Sequence, residues 1–212
     1  MEKSDRKFLC VVPDKCIGCS LCEFACSLEK TGDFDSSKSR IRLVRLHPLF
    51  NVGVVCKLCD DPVCVKACHK DAMSQSIETG AINVENEKCD GCGWCIEACP
   101  HGAIQYDEDI RAVTICDLCD GKPECKDICP TEAIEFSTSE ADVKAKWATS
   151  MKNRTEESRK FIRVTEGQNA DIFTNSDAIA EKMNEKFRAL LQKRAQLIQS
   201  AEKVTTSAKN SP

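Results

Sequence analysis

Short apolar runs broken by polar turns fill the first two-thirds of the chain, and a longer period governs the rest. Residues 8–12 form a continuous apolar run (FLCVV). In 39–46, Ile41 and Leu43 alternate with Arg40 and Arg42, the two-residue period of a half-buried strand. Residues 52–55, 81–84 and 133–136 read as further short strands. Residues 103–106 and 112–115 flank the polar segment DEDIR and predict a hairpin. Residues 138–165 can form a helix but carry no clean apolar stripe; Trp147 and Phe161 are their large aromatics. Gly167 to Asn175 reads as a break. After it, Asp177 is a plausible N-cap, and Ile179, Met183, Phe187, Leu190, Leu191, Leu197, Ile198 and Ala201 recur near helical spacing opposite a Lys/Arg-rich face. That helix spans 177–204, roughly 40 Å.

Composition alters this picture chiefly through cysteine. The chain has 212 residues and 17 cysteines, all between Cys10 and Cys129, so the last 83 residues contain none. Residues 1–137 carry 16 Lys+Arg against 24 Asp+Glu, and residues 138–212 carry 14 against 10. The chain therefore divides into an acidic, cysteine-rich domain, 1–137, and a mildly basic helical extension, 138–212. A net charge of −4 argues against nucleic-acid binding by bulk positive charge. No apolar run approaches the roughly 18 residues a membrane helix needs, so no transmembrane segment is expected. The N-terminus MEKSDRKFLCVV has no export signal, and the expected compartment is the cytoplasm. There, cysteine serves metals or redox chemistry rather than disulfides.

Sixteen cysteines fall into four repeated runs. They are Cys16-x2-Cys19-x2-Cys22-x3-Cys26, Cys56-x2-Cys59-x4-Cys64-x3-Cys68, Cys89-x2-Cys92-x2-Cys95-x3-Cys99-Pro100 and Cys116-x2-Cys119-x5-Cys125-x3-Cys129-Pro130. Three are followed by alike segments: HKDAMSQS, PHGAIQYD and PTEAIEFS. A cluster of four irons and four sulfides needs four thiolates, three of which one tight loop can supply. In two-cluster ferredoxins the run C-x2-C-x2-C-x3-C-P gives three cysteines to one cluster and its last to another. The last two cysteines of every run are four apart, so on a helix their sulfurs lie roughly 6 Å apart along the axis. Structural zinc is the plainer alternative. It takes Cys pairs split by a longer spacer, and three cysteines within seven residues suit it poorly. With only three histidines, nucleophilic Cys–His chemistry is weaker still. Spacing leaves open which run completes which cluster, nested or sequential.

Two runs lack proline after the fourth cysteine, where Ser27 and His69 stand. Its absence leaves those loops looser or frees an amide for a sulfur. His69 reads as a surface or outer residue, and Cys10 as a small buried hydrophobe.

These runs resemble the four-cluster ferredoxin subunits of molybdenum and tungsten oxidoreductases, a family that includes dimethyl sulfoxide reductase and formate dehydrogenase beta subunits and the ferredoxin partner of carbon monoxide dehydrogenase. The stretches CIGCSLCEFACSLEKTGDFDSSKSRIRL, CKLCDDPVCVKAC and ICDLCDGKPECKDICPTEAIEF look most like the small subunits of tungsten aldehyde oxidoreductase and benzoyl-coenzyme A reductase type enzymes. The resemblance covers about residues 7–137 and implies an α+β fold of nested, tandem bacterial two-cluster ferredoxin-like modules. It implies four [4Fe-4S] clusters, held by Cys16, Cys19, Cys22 and Cys129; by Cys116, Cys119, Cys125 and Cys26; by Cys56, Cys59, Cys64 and Cys99; and by Cys89, Cys92, Cys95 and Cys68. Metal binding would supply most of the folding drive.

The expected function is a non-catalytic electron-transfer subunit. It would relay single electrons between a catalytic large subunit, tungsten- or molybdenum-pterin, and a flavoprotein, ferredoxin or other carrier. The alternatives are a free-standing or self-assembling polyferredoxin, a ferredoxin partner of carbon monoxide dehydrogenase or hydrogenase, and a zinc-organised interaction module. Asp60, Asp61, Asp90, Asp117 and Asp120 near the cysteines would favour low potentials. The C-terminal helix could pack on its own domain, dock on another subunit or copy, or lie on a membrane surface.

Overall fold

The computed structural model describes residues 7–47, 50–137, 139–165 and 176–209, and places eight short strands in four two-stranded antiparallel sheets. β1 (Phe8–Val11) pairs with β8 (Ile134–Ser137), with Leu9 opposite Phe136, so the two ends of the cysteine-rich region meet. β2 (Arg42–His47) pairs with β3 (Phe50–Val54), β4 (Met73–Gln75) with β5 (Ile82–Val84), and β6 (Ile104–Asp107) with β7 (Ala112–Ile115). The last is the expected hairpin. The strand expected over 39–46 begins later, because Ser39 is wholly buried, its hydroxyl donating to the Ile41 carbonyl and accepting from the Ile41 amide, a local turn. β4 has no counterpart in the sequence reading. Three residues are too few to display a period.

Four helices sit among the cysteines: α1 (Leu21–Thr31), α2 (Val63–Lys66), α3 (Trp94–Ala98) and α4 (Glu124–Asp127). α3 and α4 stop just short of Cys99–Pro100 and Cys129–Pro130, since proline cannot continue the hydrogen-bond ladder. At α1 the equivalent residue is Ser27, and the helix runs on to Thr31 before Gly32, at φ 78°, closes it on the Leu28 carbonyl. Ser27 is fully buried and donates to the Phe24 carbonyl, so this loop is helical rather than loose. His69 does not extend α2; the chain turns at Asp71, φ 50°.

The core has few aromatics. Leu9, Val11, Ile41, Val55, Leu58, Val113 and Ile134 pack with the cysteines themselves in one cluster. Helix α5 (Glu140–Thr165) lies against β1 and β8, with Val143 buried and Ser150 and Asn153 hydrogen-bonded to Asp14 at 2.9 and 3.0 Å. It therefore packs on the cysteine-rich region through Val143 and Trp147, one turn apart, and through polar anchors beyond them. Helix α6 (Ser176–Lys209) starts a residue earlier and ends later than expected, which puts Asp177 inside its first turn rather than at its cap. Leu190 packs on Leu21, Ala25 and Leu28 of α1. Lys193 bridges Glu29 (2.9 Å) and Glu124 (3.2 Å). Phe187, Leu191, Leu197 and Ile198 stay exposed. The break expected at 167–175 and the side chains of Phe161, Ile179 and Ala201 lie outside the described residues. Among the described residues no helix is long and apolar enough to cross a membrane.

Candidate functional site

Three small pockets with largely apolar linings carry the candidate chemistry. One is lined by Cys16, Cys19, Cys22 and Cys129 with Val11, Leu43 and Ile134. A second is lined by Cys56, Cys59, Cys64 and Cys99 with Lys57, Ile82 and Ile115. A third is lined by Cys68, Cys89, Cys92 and Cys95 with Met73, Trp94 and Val113. The remaining four, Cys26, Cys116, Cys119 and Cys125, lie near one another: the charge of Cys26 acts on each of the other three thiols. Each set combines three cysteines of one loop with the last cysteine of another.

The loops share a backbone device. Two residues after the first cysteine of every run, φ is positive: Gly18 71°, Leu58 49°, Gly91 70° and Leu118 63°. Glycine takes this conformation freely, whereas a leucine there costs of the order of 1–2 kcal/mol. Leu58 and Leu118 are both buried, so packing holds them in place, and the Leu58 amide faces the Cys56 sulfur at 3.5 Å. Three residues after the fourth cysteine the pattern recurs at Asp71 (50°), Gly102 (59°) and Glu132 (53°). That turn explains the alike segments after three of the runs. It aims the next amide at sulfur: Ala72 donates to Cys68 at 3.3 Å and Ala133 to Cys129 at 3.2 Å. Helical α1 lacks the turn, and Arg40, reached through a longer loop, donates its amide to Cys26 at 3.3 Å instead.

Burial pushes the thiols up: Cys56 and Cys116 to about 12, Cys95 to about 11, Cys22 higher still, and Cys125 well above the usual thiol range. A ligand entering these sites must displace protons. Four soft sulfur donors suit copper(I), zinc or an iron–sulfur cluster. A single zinc draws its four sulfurs to about 2.3 Å around one ion. Three thiols from one tight loop and a fourth from a separate run, set among apolar side chains, match the ligand pattern of an iron–sulfur cube instead. The Nζ of Lys57 fits too: it is buried, without a hydrogen-bond partner among the described residues, in the lining of one of these pockets. Four-sulfur cubes thus suit the residues present.

The acidic residues have more local work than the sequence suggested. Asp90 and Asp117 accept the amides of Cys92 (3.2 Å) and Cys119 (3.0 Å), shaping their loops. Burial pushes the Asp117 carboxyl up, but Lys30 at 2.8 Å, the Cys119 amide and Arg40 at 2.6 Å outweigh it and hold the group below the usual carboxylate range. Asp60, Asp61 and Asp120 are exposed. Cys10 is fully buried beside Lys57 and Trp147, outside the four sets. His69 is exposed, 3.8 Å from the Cys92 sulfur, 3.7 Å from Asp90 and stacked near Trp94 at 5.4 Å. Cys92 is the exposed member of the sixteen. Sequence reasoning allowed for an amide on a sulfur where proline is absent, but missed Lys57 and that the donors are Arg40, Ala72 and Ala133. The charged residue at 57 was visible, but not that it turns inward.

Residues 49–139 match a 4Fe-4S dicluster domain, and residues 13–31 match a 4Fe-4S binding domain. The chain is 44% identical over 117 residues to the polyferredoxin-like subunit of aliphatic sulfonate oxidoreductase of Pyrococcus furiosus, spanning 55% of this chain and 68% of that one. It is 35% identical over 106 residues to the electron transport protein HydN of Escherichia coli, 47% of this chain and 59% of that one. A tetrathionate reductase subunit of Archaeoglobus fulgidus is 36% identical over 104 residues, 49% and 50% of the two chains.

Proposed function

Because the chain belongs to the family of 4Fe-4S polyferredoxin-like electron-transfer subunits of oxidoreductases, we propose that its sixteen grouped cysteines hold four [4Fe-4S] clusters and that it relays single electrons for a separate catalytic subunit. The observation that carries this reading is the set of three pockets, each walled by four cysteines from two different runs. A bound cluster supplies storage of one electron at a time with little rearrangement.

The protein's part is to order and wrap these centres. The ligand sets are the nested ones: Cys16/Cys19/Cys22/Cys129, Cys26/Cys116/Cys119/Cys125, Cys56/Cys59/Cys64/Cys99 and Cys68/Cys89/Cys92/Cys95. The pairing of β1 with β8 and the contacts of α1 with α4 and of α2 with α3 support two nested ferredoxin-like modules, one inserted in the other. The first two sets share α1 and the α4 region, and the last two share the α2 and α3 regions. The charge of Cys56 acts on the Cys116 thiol, which supports a link between the two halves. Residues 1–137 form the relay and 138–212 the extension.

The catalytic partner is a tungsten- or molybdenum-pterin subunit, and a flavoprotein or ferredoxin is the carrier at the other end. Seventeen cysteines without a disulfide suit a reducing compartment, the cytoplasm. The exposed Phe187, Leu191, Leu197 and Ile198 of α6 offer apolar area for docking on that partner or on a second copy.

Anaerobically purified chain is expected to carry about sixteen irons and as many labile sulfides, four cubanes' worth. Zinc in place of iron, or iron for two clusters only, would overturn the four-cluster reading. Copurification with a pterin-containing protein tests the partner.

A further inference from the structure

We propose that Lys57 is a fixed counter-cation for the cluster held by Cys56, Cys59, Cys64 and Cys99, and that it raises the reduction potential of that site. The inference rests on the ligand reading above and adds a function for a residue outside the ligand set.

Lys57 lines the cavity framed by those four cysteines. Its Nζ is buried and has no hydrogen-bond partner among the described residues. Burial disfavours its charged form, and the charges of Cys10, Cys56 and Cys59 act the other way, with no carboxylate among them. Other cations beside the cysteine runs have polar partners. Lys30 and Arg40 share Asp117 at 2.8 and 2.6 Å. Lys70 faces Asp90 at 3.6 Å, Lys88 pairs with Glu85 at 2.8 Å, and Arg45 donates to the Gly18 carbonyl at 2.7 Å and the Ser20 hydroxyl at 2.8 Å. Lys57 differs in being buried with neither a hydrogen-bond acceptor nor a carboxylate beside it among the described residues.

Water is kept from that charge. The Trp147 ring of α5 covers the ammonium, with Nζ 5.5 Å from the ring centroid. A buried charge is screened far less than one on the surface. Four thiolates make the site negative, and each added electron makes it more so. An ammonium fixed in its wall favours the reduced state without any proton moving. Helix α5 acquires a role as well: it carries the roof over Lys57, which makes Trp147 a positioning residue.

The test uses the full chain purified anaerobically as wild type, Lys57→Gln, Lys57→Arg and Trp147→Leu, with iron analysis and redox titration followed by electron paramagnetic resonance. In Lys57→Gln one midpoint is expected to fall so that one-electron reduction is at least tenfold less favourable, about 59 mV, while the other midpoints stay. Lys57→Arg keeps the wild-type value. Trp147→Leu lowers the same midpoint by less, as water reaches the ammonium. Unmoved midpoints in an iron-replete Lys57→Gln chain overturn the proposal. So does loss of about four irons, one cubane, in Lys57→Gln together with unmoved midpoints in Trp147→Leu, because the lysine would then serve structure alone. Failure of the underlying ligand reading looks different: the wild-type chain itself would lack the fourfold iron content.

Discussion

The amide of Ala133 donates to the sulfur of Cys129 at 3.2 Å, a bond that exists because Glu132, between them, holds φ at 53°. The same arrangement joins Ala72 to Cys68 across Asp71. A side chain in this region costs about 1–2 kcal/mol, and glycine gives back about 0.5–1 kcal/mol of that as unfolded-state entropy. Glu132→Gly is therefore expected to stabilise the cluster-loaded chain by about 0.5–1 kcal/mol, read as a higher thermal midpoint. Glu132→Pro fixes φ near −65° and should turn the amide away, lowering the potential of the cluster at Cys129. A potential unchanged by Glu132→Pro would mean that the bond does not tune this site.

Elsewhere in the relay, Cys92 is exposed and Trp94, 63% exposed, stands beside it. Exposed tryptophans are frequent anchors of protein contacts, worth roughly 1–2 kcal/mol or more. Trp94→Ala should slow electron exchange with a protein partner about tenfold, the equivalent of 1.4 kcal/mol, at unchanged iron content. Stopped-flow mixing with the copurifying partner measures this; an unaltered rate would place the electron port elsewhere.

Cluster insertion should be strongly proton-linked. Burial holds the Cys56 and Cys116 thiols at about 12 and Cys95 at about 11, so all three are protonated at neutral pH. Binding as thiolate expels those protons, and assembly becomes more favourable as pH rises. In the metal-free chain the sign is reversed. The folded form keeps protons that an unfolded thiol, at the ordinary value of 9.0, gives up, so stability falls as pH climbs from 9 towards 12. Reconstitution in weak buffer near neutral pH, followed with a pH-stat, should release close to one proton from each of these three residues; no release would contradict the burial seen for them.

Helix α6 should be held to α1 by one apolar contact and a salt-sensitive one. Leu190, 4% exposed, packs on Leu21, Ala25 and Leu28, while its neighbour Leu191 is exposed. Leu190→Ala should cost roughly 2–3 kcal/mol of docking and raise amide exchange around Met183 to Arg194. Leu191→Ala should leave exchange there unchanged. The ion pairs of Lys193 with Glu29 and Glu124 add a component that added salt weakens.

Much of the relay was readable in one dimension. The four runs, the short strands at 8–12, 52–55, 81–84 and 133–136 and the hairpin around DEDIR could be marked directly, because ligand spacing and side-chain alternation are local quantities. Helix α5 was legible only as helical, since Val143 and Trp147 are too few to mark a stripe and the remaining anchors, Ser150 and Asn153 on Asp14, are polar. β4 was too short to signal itself. Leu58 and Leu118 gave no warning of positive φ, because leucine prefers other conformations and yields only to a packed environment.

Cysteine number, their grouping in fours and the divide between an acidic relay and a basic helical tail belong to the order of residues alone, for thiol chemistry and short-range spacing need no partner from afar. Which three meet which fourth belongs to the folded chain. Cys129 reaches the cavity of Cys16 because β1 and β8 pair across more than a hundred positions. Lys57 faces inward because Leu58 bends the loop and Trp147, from another helix, closes over it. Such contacts join segments whose separation along the chain says nothing of their distance in space, so only packing could settle them.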